Sequence, residues 1–140
     1  MISFNELFNV SCQLNYNHIE AWLKVVLLDH KKELDFINFV FCSDDYLLKI
    51  NQDFLDHNYF TDVITFDYSD DVICSDIYVS VERVVDNAKN LGVDYQNELL
   101  RVMLHGVLHL CGFKDKSPKE ELLMRSAEDH YLKLFVSRET

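Results

Sequence analysis

Residues 95–111, YQNELLRVMLHGVLHLC, are apolar on nearly every side between Leu99 and Leu110, yet the run carries two histidines. A helix that is hydrophobic all round has no face to give to water, so this segment is expected as the central, buried helix of the fold. Its histidines then need partners in that interior. His105 and His109 are four residues apart and share one helical face. Gly112 offers the left-handed position that ends a helix and turns the chain back. Asp115, three residues on, can then swing its carboxylate toward the two imidazoles. Three protein ligands with further positions open form a catalytic rather than a structural metal site. Cys111 lies close enough in sequence to be a fourth ligand, but a small buried filler at a helix end is the simpler reading.

A single histidine on an apolar helix is usually a hydrogen-bonded core residue. The pair at i, i+4, the helix-ending glycine and the following aspartate together turn the reading toward a metal. Gly106 adds to it, because glycine inside a helix costs about 1 kcal/mol relative to alanine and so points to a close approach of something. Gly106 also stands where zinc peptidases of the H-E-x-x-H type carry their glutamate base. Peptide hydrolysis by that route therefore has no proton acceptor here.

Around this helix the chain reads as an α+β domain spanning residues 1–140, a small mixed sheet of about four strands packed with about five helices. Residues 2–10 suggest a first strand. Asn17 with Glu20 resembles a capping box opening a helix to about Lys32. Residues 34–42 (LDFINFVFC) read as a well-buried strand, with Phe36, Phe39, Phe41 and Phe66 all assigned to the core. Ser43 caps a short helix to about Phe54. Residues 62–68 and 72–79 read as two strands of an antiparallel hairpin turning at Ser69-Asp70-Asp71. Ser80 starts a helix that Gly92 ends, and Asp94 caps the histidine helix. Ser117-Pro118-Lys119-Glu120 has a serine cap, proline at the first helical position and glutamate three after the cap; the last helix runs to about Val136.

The 140 residues are 49% hydrophobic, contain only three glycines and one proline, and need no disulfide to bury a core. The four cysteines, Cys12, Cys42, Cys74 and Cys111, form no C-x-x-C pair, and the first ten residues carry an acid but no basic segment. Reduced thiols in a cytoplasmic protein with no membrane span are expected. The formal net charge of −11 opposes tight non-specific binding to nucleic acid. Lys114, Lys116 and Lys119 nevertheless cluster beside the proposed metal ligands as a local basic rim.

The segment HGVLHLCGFKD resembles the signature H-G-x-L-H-L-x-G-Y/F-D-H of the YbeY family of endoribonucleases. Thr61 to Phe66 (TDVITF) resembles the family strand P-T-D-V-L-S-F, and Ser75 to Ser80 (SDIYVS) resembles G-D-I-x-I-S. Met124 and Glu128 fall where the family tends to have Met and Glu. The resemblance implies a zinc-dependent, single-strand-preferring endoribonuclease that matures the 3′ end of small-subunit rRNA and serves ribosome quality control. Its partners would be rRNA and the small ribosomal subunit, with no DNA and no membrane, and its place the cytoplasm. The chain departs from the pattern at three places. Asp115 stands for the third family histidine, with Lys114 in place of the preceding aspartate. Two histidines and a carboxylate suit zinc, and also ferrous iron or another divalent metal. Leu55 and Phe60 stand for an arginine and a proline, and His57 or the three lysines are candidate replacements for that phosphate contact. Ser75 replaces a glycine.

On this reading His105, His109 and Asp115 hold the metal, with room for a water and a phosphate oxygen. Asp76 and Glu128 are the candidates to move the proton or to orient a ligand histidine. Against these stand simpler roles: backbone bridging for Asp76, a solvated helix face for Glu128, and strand pairing for Thr61, Asp62 and Thr65. A second function reading is a non-catalytic ribosome-assembly factor whose metal only ties the last helix to the histidine helix.

Overall fold

The alternation of Ile37, Phe39 and Phe41 against Asn38 and Val40 gives one strand two chemically different faces, and the whole sheet is built around it. The computed structural model describes residues 1–7 and 14–139. The order of elements is β1 (Ile2–Glu6), α1 (Tyr16–Asp29), β2 (Leu34–Cys42), α2 (Asp44–Leu55), β3 (Val63–Asp67), β4 (Ile73–Ser80), α3 (Val81–Leu91), α4 (Tyr95–Leu110) and α5 (Pro118–Glu139). The α+β class, four strands and five helices agree with the sequence reading. Residues 8–10 of the expected first strand and Cys12 lie outside the described residues.

The strands run in the order β1-β2-β4-β3; β1/β2 and β2/β4 pair in parallel, and β3/β4 is the antiparallel hairpin. Register places Phe39 beside Ile77 and Phe41 beside Val79 on one face of the sheet. Helix α4 packs there against β3 and β4 and touches α1, α3 and α5. The main core lies between them, with Trp22, Phe39, Phe41, Ile77, Leu99 and Met103 fully buried. Trp22 Nε1–H donates to the Tyr131 carbonyl at 2.8 Å, tying α1 to α5. A smaller cluster of Cys42, Leu47, Ile50 and Ile64 lies under α2. Phe36, expected in the core, is only half-buried, because its place in β2 belongs to the face opposite Ile37 and Phe39.

Several helix ends follow the sequence signals. Ser43 and Ser80 cap α2 and α3 by accepting from Tyr46 N–H and Arg83 N–H. Ser117 and Glu120 close a reciprocal capping box at 3.2 and 3.0 Å. Others differ. Helix α1 is capped by Asn15, which accepts from His18 N–H at 3.2 Å, rather than by Asn17. It ends at Asp29, short of Lys32, where Lys31 adopts a positive φ of 57°. Asp94 holds the N-cap position of α4 but its side chain makes no capping hydrogen bond. Among the described residues no helix is long and apolar enough to cross a membrane.

Candidate metal centre

Helix α4 carries a polar stripe along its otherwise apolar surface: Glu98, Arg101, His105 and His109, spaced three, four and four residues apart. The other side of the helix presses on the sheet. A Cβ at Gly106 would lie 3.1 Å from Ile77 Cδ1 and from Thr65 Oγ1, so glycine allows α4 to sit this close to β3 and β4. Past the helix end, Gly112 at φ +104° reverses the chain, a conformation that residues with a Cβ rarely adopt. Phe113 N–H then donates to the Leu108 carbonyl at 3.0 Å, and Asp115 returns to the histidines.

Three atoms converge. His105 Nε2 lies 3.0 Å from His109 Nε2 and 3.2 Å from Asp115 Oδ2, and His109 Nε2 lies 3.5 Å from the same oxygen. Ligand atoms at 2.0–2.1 Å around a tetrahedral zinc stand about 3.3 Å apart, so the triangle has the size of a metal site. The partners of the other ring nitrogens fix the chemistry. His105 Nδ1–H donates to Glu128 Oε2 at 2.7 Å, and His109 Nδ1–H donates to the Phe113 carbonyl at 3.0 Å. As neutral imidazoles, both rings therefore aim an Nε2 lone pair at the point a carboxylate oxygen also faces. Three acceptors at this range suit a cation, and a proton on one of them is the competing occupant. The set His105, His109 and Asp115 fits a divalent metal.

Glu128 holds this arrangement from α5. It is 3% exposed, and Arg101 Nη1–H donates to its second oxygen at 3.0 Å. Burial pushes its carboxyl up, but the hydrogen bonds and charges of His105 and Arg101 outweigh that and hold it below the usual carboxylate range. Burial likewise pulls His105 down, and the Glu128 hydrogen bond with the neighbouring carboxylate charges lifts it above its ordinary value. Glu98 completes the ionic row 3.4 Å from Arg101 Nε, and burial raises its carboxyl despite that neighbour.

Glu128 is thus buried beside a ligand histidine, not on a solvated face. Asp76 is not brought to the group. Neighbouring strand residues point to opposite faces, and Ile77 is the one that meets α4. Asp76 instead accepts from Asn38 Nδ2 and Tyr68 Oη, both at 3.0 Å. Cys111 packs on the main core away from the ligand atoms, its thiol pushed up to about 11 by burial. Ser75, where the resemblance expects glycine, is buried and donates to the Phe66 carbonyl at 2.8 Å.

The ligands open onto two cavities. One of about 710 Å³ extends toward α5, past Glu98, Arg101, Glu121 and Arg125. The second, of about 510 Å³, is bounded by β3 and the α2–β3 loop, including Leu55, His57 and Tyr59. His105 and Asp115 line both. Lys114, Lys116 and Lys119 are exposed and line neither. Asp62 is the residue that sequence reasoning undervalued. Among the described residues it is the one carboxylate outside the ligand set that lines both cavities. Burial raises its carboxyl above the usual range, and it accepts from Asn87 Nδ2 at 3.1 Å. Arg101 was also missed, although its place four residues before His105 is visible in the sequence.

Comparisons with known proteins agree with this architecture. The family model described as Endoribonuclease YbeY matches residues 5–136. A Flavobacterium psychrophilum protein named Endoribonuclease YbeY is 52% identical over 136 residues, covering 96% of each chain. One of the same name from Flavobacterium johnsoniae is 46% identical and covers 96% of this chain and 97% of its own length. The solution structure of a Thermotoga maritima protein superposes with a TM-score of 0.71 at 26% identity, covering 99% of this chain and 91% of that one. By the extent of these matches, the chain belongs to the endoribonuclease YbeY family.

Proposed function

We propose that this protein is a cytoplasmic, zinc-dependent endoribonuclease that cleaves single-stranded RNA in rRNA maturation, at the 3′ end of small-subunit rRNA, and in ribosome quality control. The observation that carries the reading is the convergence of His105 Nε2, His109 Nε2 and Asp115 Oδ2 within 3.0–3.5 Å, open to solvent on two sides. A divalent ion bound there supplies water of lowered pKa, about 7 for zinc, and a counter-charge for the phosphoryl oxygens. His105 and His109 hold the ion as neutral rings, each fixed by its Nδ1–H partner. Glu128 orients His105, and Arg101 keeps Glu128 ionised and in place. Asp62, with its raised carboxyl beside both cavities, takes the proton-handling role that the sequence alone offered to Asp76 and Glu128.

Zinc is the ion proposed, and ferrous iron is the alternative that the same donor set accommodates. A purely structural metal in a non-catalytic assembly factor is less well supported. Structural zinc sites are closed by four protein ligands, whereas here the Asp115 side chain is 41% and the His109 side chain 32% exposed.

The test combines metal counting with cleavage. Wild-type protein is expected to carry about one divalent ion per chain by elemental analysis and to cut single-stranded RNA. His109→Ala and Asp115→Ala are expected to lose both. Cleavage unchanged in His109→Ala, or wild-type protein that takes up no metal when zinc is supplied, overturns the proposal.

A further inference from the structure

The two cavities that meet at the ligand triangle differ in what they offer a nucleic acid. The larger one is lined by the carboxylates of Asp62, Glu98, Glu121 and Glu128 besides Asp115. Its two cations face these carboxylates: Arg101 is engaged by Glu98, Glu128 and Asp129, and Arg125 Nε lies 4.0 Å from Glu128. The smaller cavity has fewer carboxylates, and its rim carries an aromatic pair. The His57 and Tyr59 rings stack at 5.1 Å between centroids and 21° between planes, with the Tyr59 hydroxyl 3.0 Å from His57 Nδ1. Tyr59 is 57% exposed even with His57 stacked on it, so its ring still offers surface to another planar group.

The pair is held in position from below. Asn51, 1% exposed, donates from Nδ2 to the Tyr59 carbonyl at 2.9 Å, and its own carbonyl accepts from His57 N–H at 3.0 Å. Both backbone anchors of the loop thus come from one buried side chain and its peptide. A large aromatic side chain kept exposed on an anchored loop, in a cavity that reaches His105, His109 and Asp115 and carries no lysine or arginine, suits a ligand that is flat rather than anionic. With a net charge of −11 the chain gains little from phosphate attraction, whereas stacking on a base requires no positive charge.

We propose that Tyr59, backed by His57, is a stacking platform for a nucleobase of the single-stranded RNA, next to the phosphodiester held at the ligand triangle. The strand then enters through the smaller cavity, whose wall holds the aromatic pair together with His105, His109 and Asp115. This inference rests on RNA being the substrate and deepens that reading. Stacking of a base on an aromatic side chain corresponds to about a 5- to 100-fold loss of binding on alanine substitution.

The experiment uses zinc-loaded full-length protein and short single-stranded RNAs carrying one 2-aminopurine, moved position by position. The fluorescence change on mixing, before cleavage, reports stacking; product formation reports KM and kcat. In wild type, 2-aminopurine is expected to be quenched at one position next to the cut. Tyr59→Ala should abolish that quenching and raise KM about 5- to 100-fold, with kcat changed by less than about threefold. Tyr59→Phe should keep the quenching. The Tyr59→Ala effect should also be similar at low and moderate salt, unlike the loss of a phosphate contact. RNA that is cut normally with no Tyr59-dependent quenching or KM change overturns the platform and leaves the nuclease reading standing. Tyr59-dependent quenching without cleavage supports the platform and counts against the nuclease.

Discussion

Replacing Glu128 by glutamine changes one oxygen of a buried side chain and should disable the metal centre from a distance. Glu128 accepts from His105 on one oxygen and from Arg101 on the other, so both atoms must be acceptors. A glutamine has one acceptor and one donor. If its amide nitrogen faces Arg101, two donors meet and the half-buried guanidinium keeps only Glu98 and Asp129. If the nitrogen faces His105, Nδ1 must become the acceptor and the ring proton moves to Nε2, the atom that should bind the ion. Hydrogen bonds to charged groups contribute roughly 1.5–3 kcal/mol each, and one of the two is lost, so the metal-free variant should be less stable by about 2 kcal/mol. Loss of the carboxylate behind a ligand histidine typically weakens metal binding about 10- to 100-fold, equivalent to about 1.4–2.7 kcal/mol. Denaturant unfolding of metal-free protein gives the first quantity, and zinc competition with a chromophoric chelator gives the second. A folded Glu128→Gln protein that binds zinc within about threefold of wild type would refute the claim that Glu128 sets the tautomer of His105.

Two further outcomes follow from the packing of α4 and α5. Gly106→Ala should destabilise the fold by about 0–2 kcal/mol, since overpacking costs about 1–3 kcal/mol against a propensity gain near 1 kcal/mol; the new Cβ meets fully buried Ile77 at 3.1 and 3.2 Å. Thermal unfolding checks this, and a Gly106→Ala protein melting above wild type would show that the sheet yields. Glu120 is held below the usual carboxylate range, first by the Ser117 backbone N–H. Its folded pKa is depressed, so its contribution is complete above the unfolded value of about 4.3 and disappears as pH falls through the folded value. The stability difference between wild type and Glu120→Gln should therefore be larger at neutral pH than in strong acid; a difference independent of pH would refute the capping box as the cause.

What could be read from the sequence, and what could not, divides along the range of the interactions. The strand 34–42, the hairpin, the Ser80 and Ser117 starts and the Gly92 end are governed by residues within four positions of each other, and they appear in the structure nearly where local rules place them. The shift of the first helix cap from Asn17 to Asn15 shows the limit of those rules. Both asparagines offer a capping oxygen, but the helix begins two residues earlier, where Tyr16 also stacks on Phe4 of β1 with ring centroids 4.4 Å apart. No local pattern contains that contact. Asp76 fails for another reason: its motif resembles the family strand, but alternation turns it away from α4, toward Tyr68 and Asn38. Strand parity alone gives two faces; only the packing of Gly106 on Ile77 says which of them meets the histidines.

The same helix that reads as a buried apolar rod also carries the polar stripe of the candidate site, and its packing accounts for both features. Leu99, Met103, Leu104, Val107 and Leu108 are fully buried, so α4 has little freedom to rotate or slide. Glu98, Arg101, His105 and His109 are consequently fixed in azimuth, and the ion pairs among Glu98, Arg101 and Glu128 need not locate the site by themselves. Such pairs are poor sources of net stability when buried, but they set the charge and tautomer of His105, which hydrophobic neighbours could not do. Asp115 is held differently. It comes from the turn after Gly112 and is the most exposed of the three ligand side chains at 41%, so it is the ligand best able to move as an ion enters. The geometry therefore separates a fixed pair of imidazoles on a tightly packed helix from a more exposed carboxylate on a turn, and an ion bound there would tie that turn to α4, which Glu128 already joins to α5 through His105 and Arg101.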